Sequence, residues 1–93
     1  MSKNSEITEK EKKTFQNVEI LLNALINDRA VPRNIKRIAQ KCIDEMKKDE
    51  ETPGVIASNA MYYLGDVTND PNLPFHSRTT LYRIISLLET VKD

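Results

Sequence analysis

The sequence predicts an all-α protein, a single-domain, antiparallel up-and-down four-helix bundle. Three observations carry that prediction. Apolar residues recur at intervals of three and four along four successive stretches, the spacing of one face of a helix. Short links rich in Asn, Asp and Pro separate the stretches, which makes successive helices antiparallel neighbours. No segment alternates apolar and polar residues as a half-buried strand does. At 93 residues the chain suffices for one modest core and leaves no room for a second domain.

The first helix starts either at Ser5 or at Thr8, where Thr8-Glu9-Lys10-Glu11 has the form of a capping box, and residues 1–5 are expected to fray. Its core stripe is Phe15, Val18, Leu22 and Leu25, widened by Leu21 and Ile26, and it ends near Asn27. The charged stretch Glu9–Lys13 lacks apolar residues and reads as a solvated extension. Pro32 fits the first position of the second helix, where its missing N–H costs nothing. That helix runs to about Lys48 and collects Ile35, Ile38, Ala39, Cys42 and Met46 on one face, with Val31 leading into it. Lys47 and Lys48 complement the negative end of the helix.

Asp49-Glu50-Glu51 precedes the third helix, whose N-terminus favours negative charge. Thr52 is its N-cap and Pro53 its first residue. Ile56, Ala57, Ala60, Met61, Tyr63, Leu64 and Val67 form a wide apolar arc, so this helix is expected to be the most enclosed. The small residues Gly54, Ala57, Ser58, Ala60 and Gly65 would let a neighbouring helix approach closely, Gly65 at a cost of about 1 kcal/mol of helix propensity. Asn69–Pro74 is a loop, and Pro74 opens a fourth helix with Leu81, Ile84, Leu88 and Val91 inward and Ile85 beside them.

Apolar residues make up 39% of the chain and charged residues 30%, too apolar and periodic for disorder but with a charge-dense surface. Fourteen basic and fourteen acidic residues cancel, so any electrostatic preference must be local. There is no signal-peptide core and no apolar run of membrane-spanning length, which predicts a cytoplasmic protein with no membrane partner. Cys42 is the single cysteine; it excludes an internal disulfide and a multi-cysteine metal site and suits a reducing compartment.

The whole chain, and above all Leu25-Ile26-Asn27-Asp28-Arg29-Ala30-Val31-Pro32-Arg33-Asn34-Ile35-Lys36-Arg37-Ile38-Ala39, resembles a group of small archaeal proteins, the uncharacterised protein family 0147. The resemblance implies a helical bundle in an archaeal cytosol. It brings no activity, cofactor or functional residue with it.

Catalysis by a nucleophile would require Cys42, Ser77 or another hydroxyl beside an oriented base. His76 is the only histidine and reads as an exposed or end-packed ring at the start of the fourth helix; Cys42 reads as a packed, inert thiol. There is no Glu-x-x-His pair for a bundle metal site. Asp49-Glu50-Glu51 is read as helix-end electrostatics, and Asp66 with Asp70 as a solvated face. Gly54 and Gly65 are isolated and form no phosphate loop. No catalytic residue, metal or cofactor is assigned, and the protein is expected not to be an enzyme.

Two surfaces remain as functional leads. Arg33, Lys36, Arg37, Lys41, Lys47 and Lys48, joined by Arg29, point away from the second helix's apolar stripe, interrupted by Asp44 and Glu45. Such a face could follow a phosphate backbone, although it has no aromatic residues interleaved for base stacking. Ile20 and Ala24 on the first helix, and Val55 and Tyr62 with Asn59 on the third, lie opposite the core stripes. If contiguous, they would mark a homodimer or partner surface. The favoured reading is a protein–protein interaction or assembly module, and the alternative is a nucleic-acid-associated protein using the basic face.

Overall fold

In the computed structural model, residues 7–48 and 50–93 are described. They form α1 (Glu9–Ile26), α2 (Arg33–Met46), α3 (Pro53–Gly65), a 3-10 turn (Val67–Asn69) and α4 (Phe75–Glu89), with no strand among the described residues. α1 packs on α2, α2 on α3, α3 on α4 and α4 back on α1, so the helices stand at the corners of a square in chain order. This is the up-and-down bundle expected from the stripes.

Local chemistry sets the helix starts. At Thr8 both halves of the capping box form: the Glu11 N–H donates to Thr8 Oγ1 and the Thr8 N–H to Glu11 Oε1, each at 3.0 Å. The alternative start at Ser5 lies outside the described residues. Thr52 caps α3, accepting from the Val55 N–H at 3.4 Å, and Pro53 takes the first helical position. Pro32 and Pro74 sit one place earlier than expected. Both have φ of −60° with extended ψ near 150°, which keeps them outside the helix as N-caps. Their carbonyls still accept the first helical bonds, from Lys36 and Arg78.

The core contains every residue of the α1 stripe, Phe15, Val18, Leu22 and Leu25, and on α4 Leu81, Ile84 and Leu88. Val91 and Val67 remain buried although each lies just past its helix. Val31, Val67 and Leu73 are buried links at the end of the bundle where α1 leads into α2 and α3 into α4; Ile7 and Met46 pack on the core toward the other. On α2 the buried set is Ile35, Ala39, Cys42 and Ile43, with Ile38 and Met46 half-buried, so the helix is rotated slightly from the predicted stripe toward Ile43. α2 ends at Met46, with Lys47 as its C-cap and Lys48 beyond. Glu9, Lys10, Lys12 and Lys13 are exposed, a solvated first turn and a half as their composition suggests.

α3 is the most enclosed helix, as its wide apolar arc predicts, with only Val55, Ser58, Tyr62 and Gly65 exposed along Pro53–Gly65. With neighbours on two sides of a square, each helix leaves its diagonal face to solvent, and α3 leaves Val55, Ser58 and Tyr62 there despite its apolar composition. Of its small residues, Ala57 and Ala60 are fully buried and permit close packing, and the Cys42 thiol donates to the Ala60 carbonyl at 3.6 Å. Gly65 faces open space. Gly54 is pressed instead by the C-terminal segment: a Cβ there would lie 2.8 Å from the Asp93 carboxylate and 2.9 Å from the Asp93 backbone nitrogen. Asp93 accepts the Gly54 N–H at 2.9 Å and the Thr52 hydroxyl at 2.7 Å, tying residue 93 to the start of α3.

The two α3 glycines should therefore respond oppositely to the same change. Gly65→Ala is expected to raise stability by about 0.5–1 kcal/mol through helix propensity, since its Cβ meets nothing. Gly54→Ala should gain nothing or lose stability, because its Cβ evicts Asp93. Equal shifts of the urea midpoint would contradict this account.

Candidate interaction surfaces

The seam between α2 and α3 holds the most specific polar arrangement in the fold. Glu45, read from the sequence as an interruption of the basic face, is buried there, with 2% of its surface exposed. Its carboxylate accepts Asn59 Nδ2 at 2.8 Å and Lys48 Nζ at 3.0 Å. Burial pushes the carboxyl pKa up, but the hydrogen bonds from Asn59 and Lys48 outweigh it and hold the group below its ordinary range. Asn59 thus turns toward α2 rather than lying fully on the outer face with Val55 and Tyr62. A period of 3.6 places Glu45 only at the flank of the α2 stripe; its partner lies fourteen residues away, so no local signal identifies the pair.

One turn along the same seam, Lys41 Nζ lies 4.6 Å from the centroid of the Tyr63 ring, a cation–π contact. Tyr62 meets Tyr63 edge to face, with centroids 6.1 Å apart and planes at 65°, and is itself 81% exposed. The fold thereby brings two aromatic rings to the edge of the basic helix. Within the α2 segment itself there are none.

The basic residues divide. Lys47 pairs with Glu19 of α1 at 3.5 Å and Lys48 with Glu45, so these two serve the helix seams. Arg29, Arg33, Lys36, Arg37 and Lys41 enter no ion pair among the described residues, and all but the half-buried Lys36 are exposed. Arg33, Arg37 and Lys41 follow one another at four-residue intervals. Asp44 continues that row and accepts a hydrogen bond from Gln40 at 3.1 Å.

The apolar outliers do not form one patch. Ile20, 66% exposed, and Ala24 lie on the outer face of α1; Val55, 38% exposed, and Tyr62 lie on that of α3. Because α1 and α3 are diagonal, those faces look in opposite directions. Ile20 borders instead a shallow groove between α1 and α4 with Asn17, Leu21, Arg83 and Leu87. The sequence pattern did not single out Phe75, at 85% the most exposed large apolar side chain among the described residues, or Tyr82 at 52%, both on the outer face of α4. Their spacing of seven was the available signal, hidden because Phe75 adjoins the His76 segment.

The remaining reactive groups are tied down. Cys42 is fully buried and its thiol is pushed up to about 12, chiefly by desolvation. His76 Nε2 lies 2.7 Å from Asp28 Oδ2, joining the start of α4 to the α1–α2 link. That hydrogen bond is the main cause holding the Asp28 carboxyl below its usual value, helped by the Ala30 N–H. Ser77 is buried with its hydroxyl unpaired. Arg78 donates to the Thr68 carbonyl and, at 3.2 Å, to that of Asp70, anchoring the loop before α4. Among the described residues no group of three or more His, Cys, Asp or Glu side chains gathers to hold a metal, and no helix is long and apolar enough to cross a membrane. Asp49 lies outside the described residues.

A square four-helix bundle with a polar seam between α2 and α3 is the class these features define. Its sequence matches the model of the Uncharacterised protein family (UPF0147) over residues 1–91, and the chain belongs to that family. It is 42% identical over 79 residues to the UPF0147 protein of Desulfurococcus amylolyticus, spanning 85% of this chain and 87% of that one. It is 45% identical over 74 residues to the counterpart from Saccharolobus solfataricus, spanning 80% and 83%. Two crystal structures share the fold at a TM-score of 0.84. One, of a UPF0147 protein from Thermoplasma acidophilum, is 33% identical and covers 91% of this chain and 100% of that one. The other, of MMP1188, a protein of unknown function, is 34% identical and covers 88% and 93%.

The seam yields a pH dependence. A carboxyl with a depressed folded-state pKa stabilises the fold fully above its unfolded value, about pH 4.3 for glutamate, and loses that contribution as pH falls through the folded value. Glu45 and Asp28 both act in this sense. The denaturation midpoint should therefore drop as the pH falls below about 4.3, and Glu45→Gln should shrink the drop. At neutral pH, Asn59→Ala should cost about 1–3 kcal/mol by leaving a buried carboxylate oxygen without its donor.

Proposed function

We propose that this protein works by binding rather than catalysis, as a cytosolic assembly module that associates with a second copy of itself through the outer face of α4. The observation that carries the reading is the row Phe75, Thr79, Tyr82 and Ser86. It is uncharged in a chain that is 30% charged, and its two aromatic members are exposed. Its spacing of four, three and four places it along one ridge of the helix, suited to packing against an identical ridge about a two-fold axis. A self-complementary contact sets each residue near the axis against its own kind, so an uncharged row avoids like-charge repulsion. The sequestered Cys42 and Ser77 and the His76–Asp28 contact supply no converging catalytic set, which supports binding as the mode of action.

A second reading is nucleic-acid binding by Arg29, Arg33, Lys36, Arg37 and Lys41 on α2. The position of Tyr62 and Tyr63 beside Lys41 favours it, since these rings supply what the basic segment lacks.

Light scattering after size exclusion tests the first reading. The mass should approach that of a dimer at high protein concentration and return to a monomer in Phe75→Lys with Tyr82→Lys. A wild-type mass that stays monomeric at every concentration would sink the self-association.

A further inference from the structure

We propose that the edge formed by α2 and α3 is a binding site for single-stranded nucleic acid, with phosphates on Arg33, Arg37 and Lys41 and an unpaired base stacked on Tyr62. The inference rests on the second reading above and adds to it the strandedness of the ligand and the residue that senses it. Two independent features meet at this edge. One is the row of exposed cations on α2 that enter no ion pair among the described residues, one helical turn apart and therefore about 6 Å from one to the next. The other is Tyr62, whose exposure of 81% leaves its ring open to a flat partner.

The geometry braces that ring. Tyr63 stands edge-on to it, and the Lys41 ammonium lies over Tyr63. Lys41 thus belongs to both features: it steadies the aromatic pair and, being exposed, extends the cationic row toward it. Pro53–Gly65 contains no acidic residue; the exposed carboxylates that border the edge are Asp44, which follows Lys41 on α2, and Asp66, the C-cap of α3 one turn beyond Tyr62. A duplex keeps its base faces stacked and would engage only the cations. A single strand offers a phosphate chain and unpaired faces together, the combination that positive grooves with aromatic platforms select. Stacking reads any base, so the binding should be tolerant of sequence.

Fluorescence anisotropy with the full chain tests this, using a labelled mixed-sequence RNA of roughly 12 nucleotides, the same strand as DNA, and the annealed duplexes. Both single strands should bind more tightly than the duplexes. For about three phosphate contacts, log K should fall against log salt with a slope of about −2. Tyr62→Ala should weaken single-strand binding about tenfold without changing that slope, whereas Tyr62→Phe should bind as the wild type does. Arg33→Glu with Arg37→Glu should abolish binding. Circular dichroism on each variant separates these effects from loss of helix.

If duplex and single strand bind alike and Tyr62→Ala changes nothing while charge reversal abolishes binding, the stacking site is refuted and the basic-face reading survives. No binding of any probe at low salt refutes both. If Tyr62→Ala lowers the mass seen by light scattering but leaves nucleic-acid binding intact, Tyr62 is a protein contact and the inference fails.

Discussion

The angle at which α2 sits about its own axis governs much of what the molecule presents to its surroundings. Burying Ile35, Ala39, Cys42 and Ile43 together fixes that angle, with the small Cys42 set directly against Ala60 of α3. Once it is fixed, Arg33 and Arg37 must point outward, Lys41 must rise beside Tyr63 and Glu45 must enter the seam. The outer charge pattern is a consequence of the inner packing. A change that rotated α2 by one position would bury Lys36 or Lys41 and expose Ile35, so core and surface cannot vary independently.

The seam itself shows how a charged group can lie inside a small bundle. Glu45 is desolvated, and a buried carboxylate left alone would be neutralised or expelled. Asn59 reaches it from the facing helix and Lys48 from the end of its own, so both oxygens have donors and the charge is balanced. Such a pair adds less net stability than an apolar contact of the same size. Its geometry is exacting, however. Asn59 meets Glu45 at only one axial register of α3 on α2, whereas apolar side chains would tolerate several.

Periodicity within one helix made the core legible. Phe15, Val18, Leu22 and Leu25 are buried as the three-four spacing requires, and the same holds for Leu81, Ile84 and Leu88. Thr8 and Thr52 cap their helices because capping depends on residues at most three places away. Pro32 and Pro74 were displaced by one position because the residue type fixes φ but not ψ, and ψ decides between the cap and the first turn. Glu45 with Asn59, Lys41 with Tyr63, and His76 with Asp28 were beyond reach. Each depends on how two helices or links are set relative to one another, a quantity no single window contains. The candidate surfaces were therefore legible as lists of residues but not as neighbours: Ile20 and Tyr62 separated onto opposite sides, while Lys41 and Tyr63 came together.

The square order of the helices also bears on how the chain finds its fold. Three of the four helix–helix contacts join elements adjacent in sequence, and only the closure of α4 on α1 spans most of the chain. Loop-closure entropy rises slowly with length, and chains dominated by local contacts reach their native state fast, in microseconds to milliseconds for helical bundles. Each helical hairpin can thus assemble with its sequence neighbour before the ring is shut. The His76–Asp28 contact, bridging residues forty-eight apart, ties the start of α4 to the α1–α2 link across that closure.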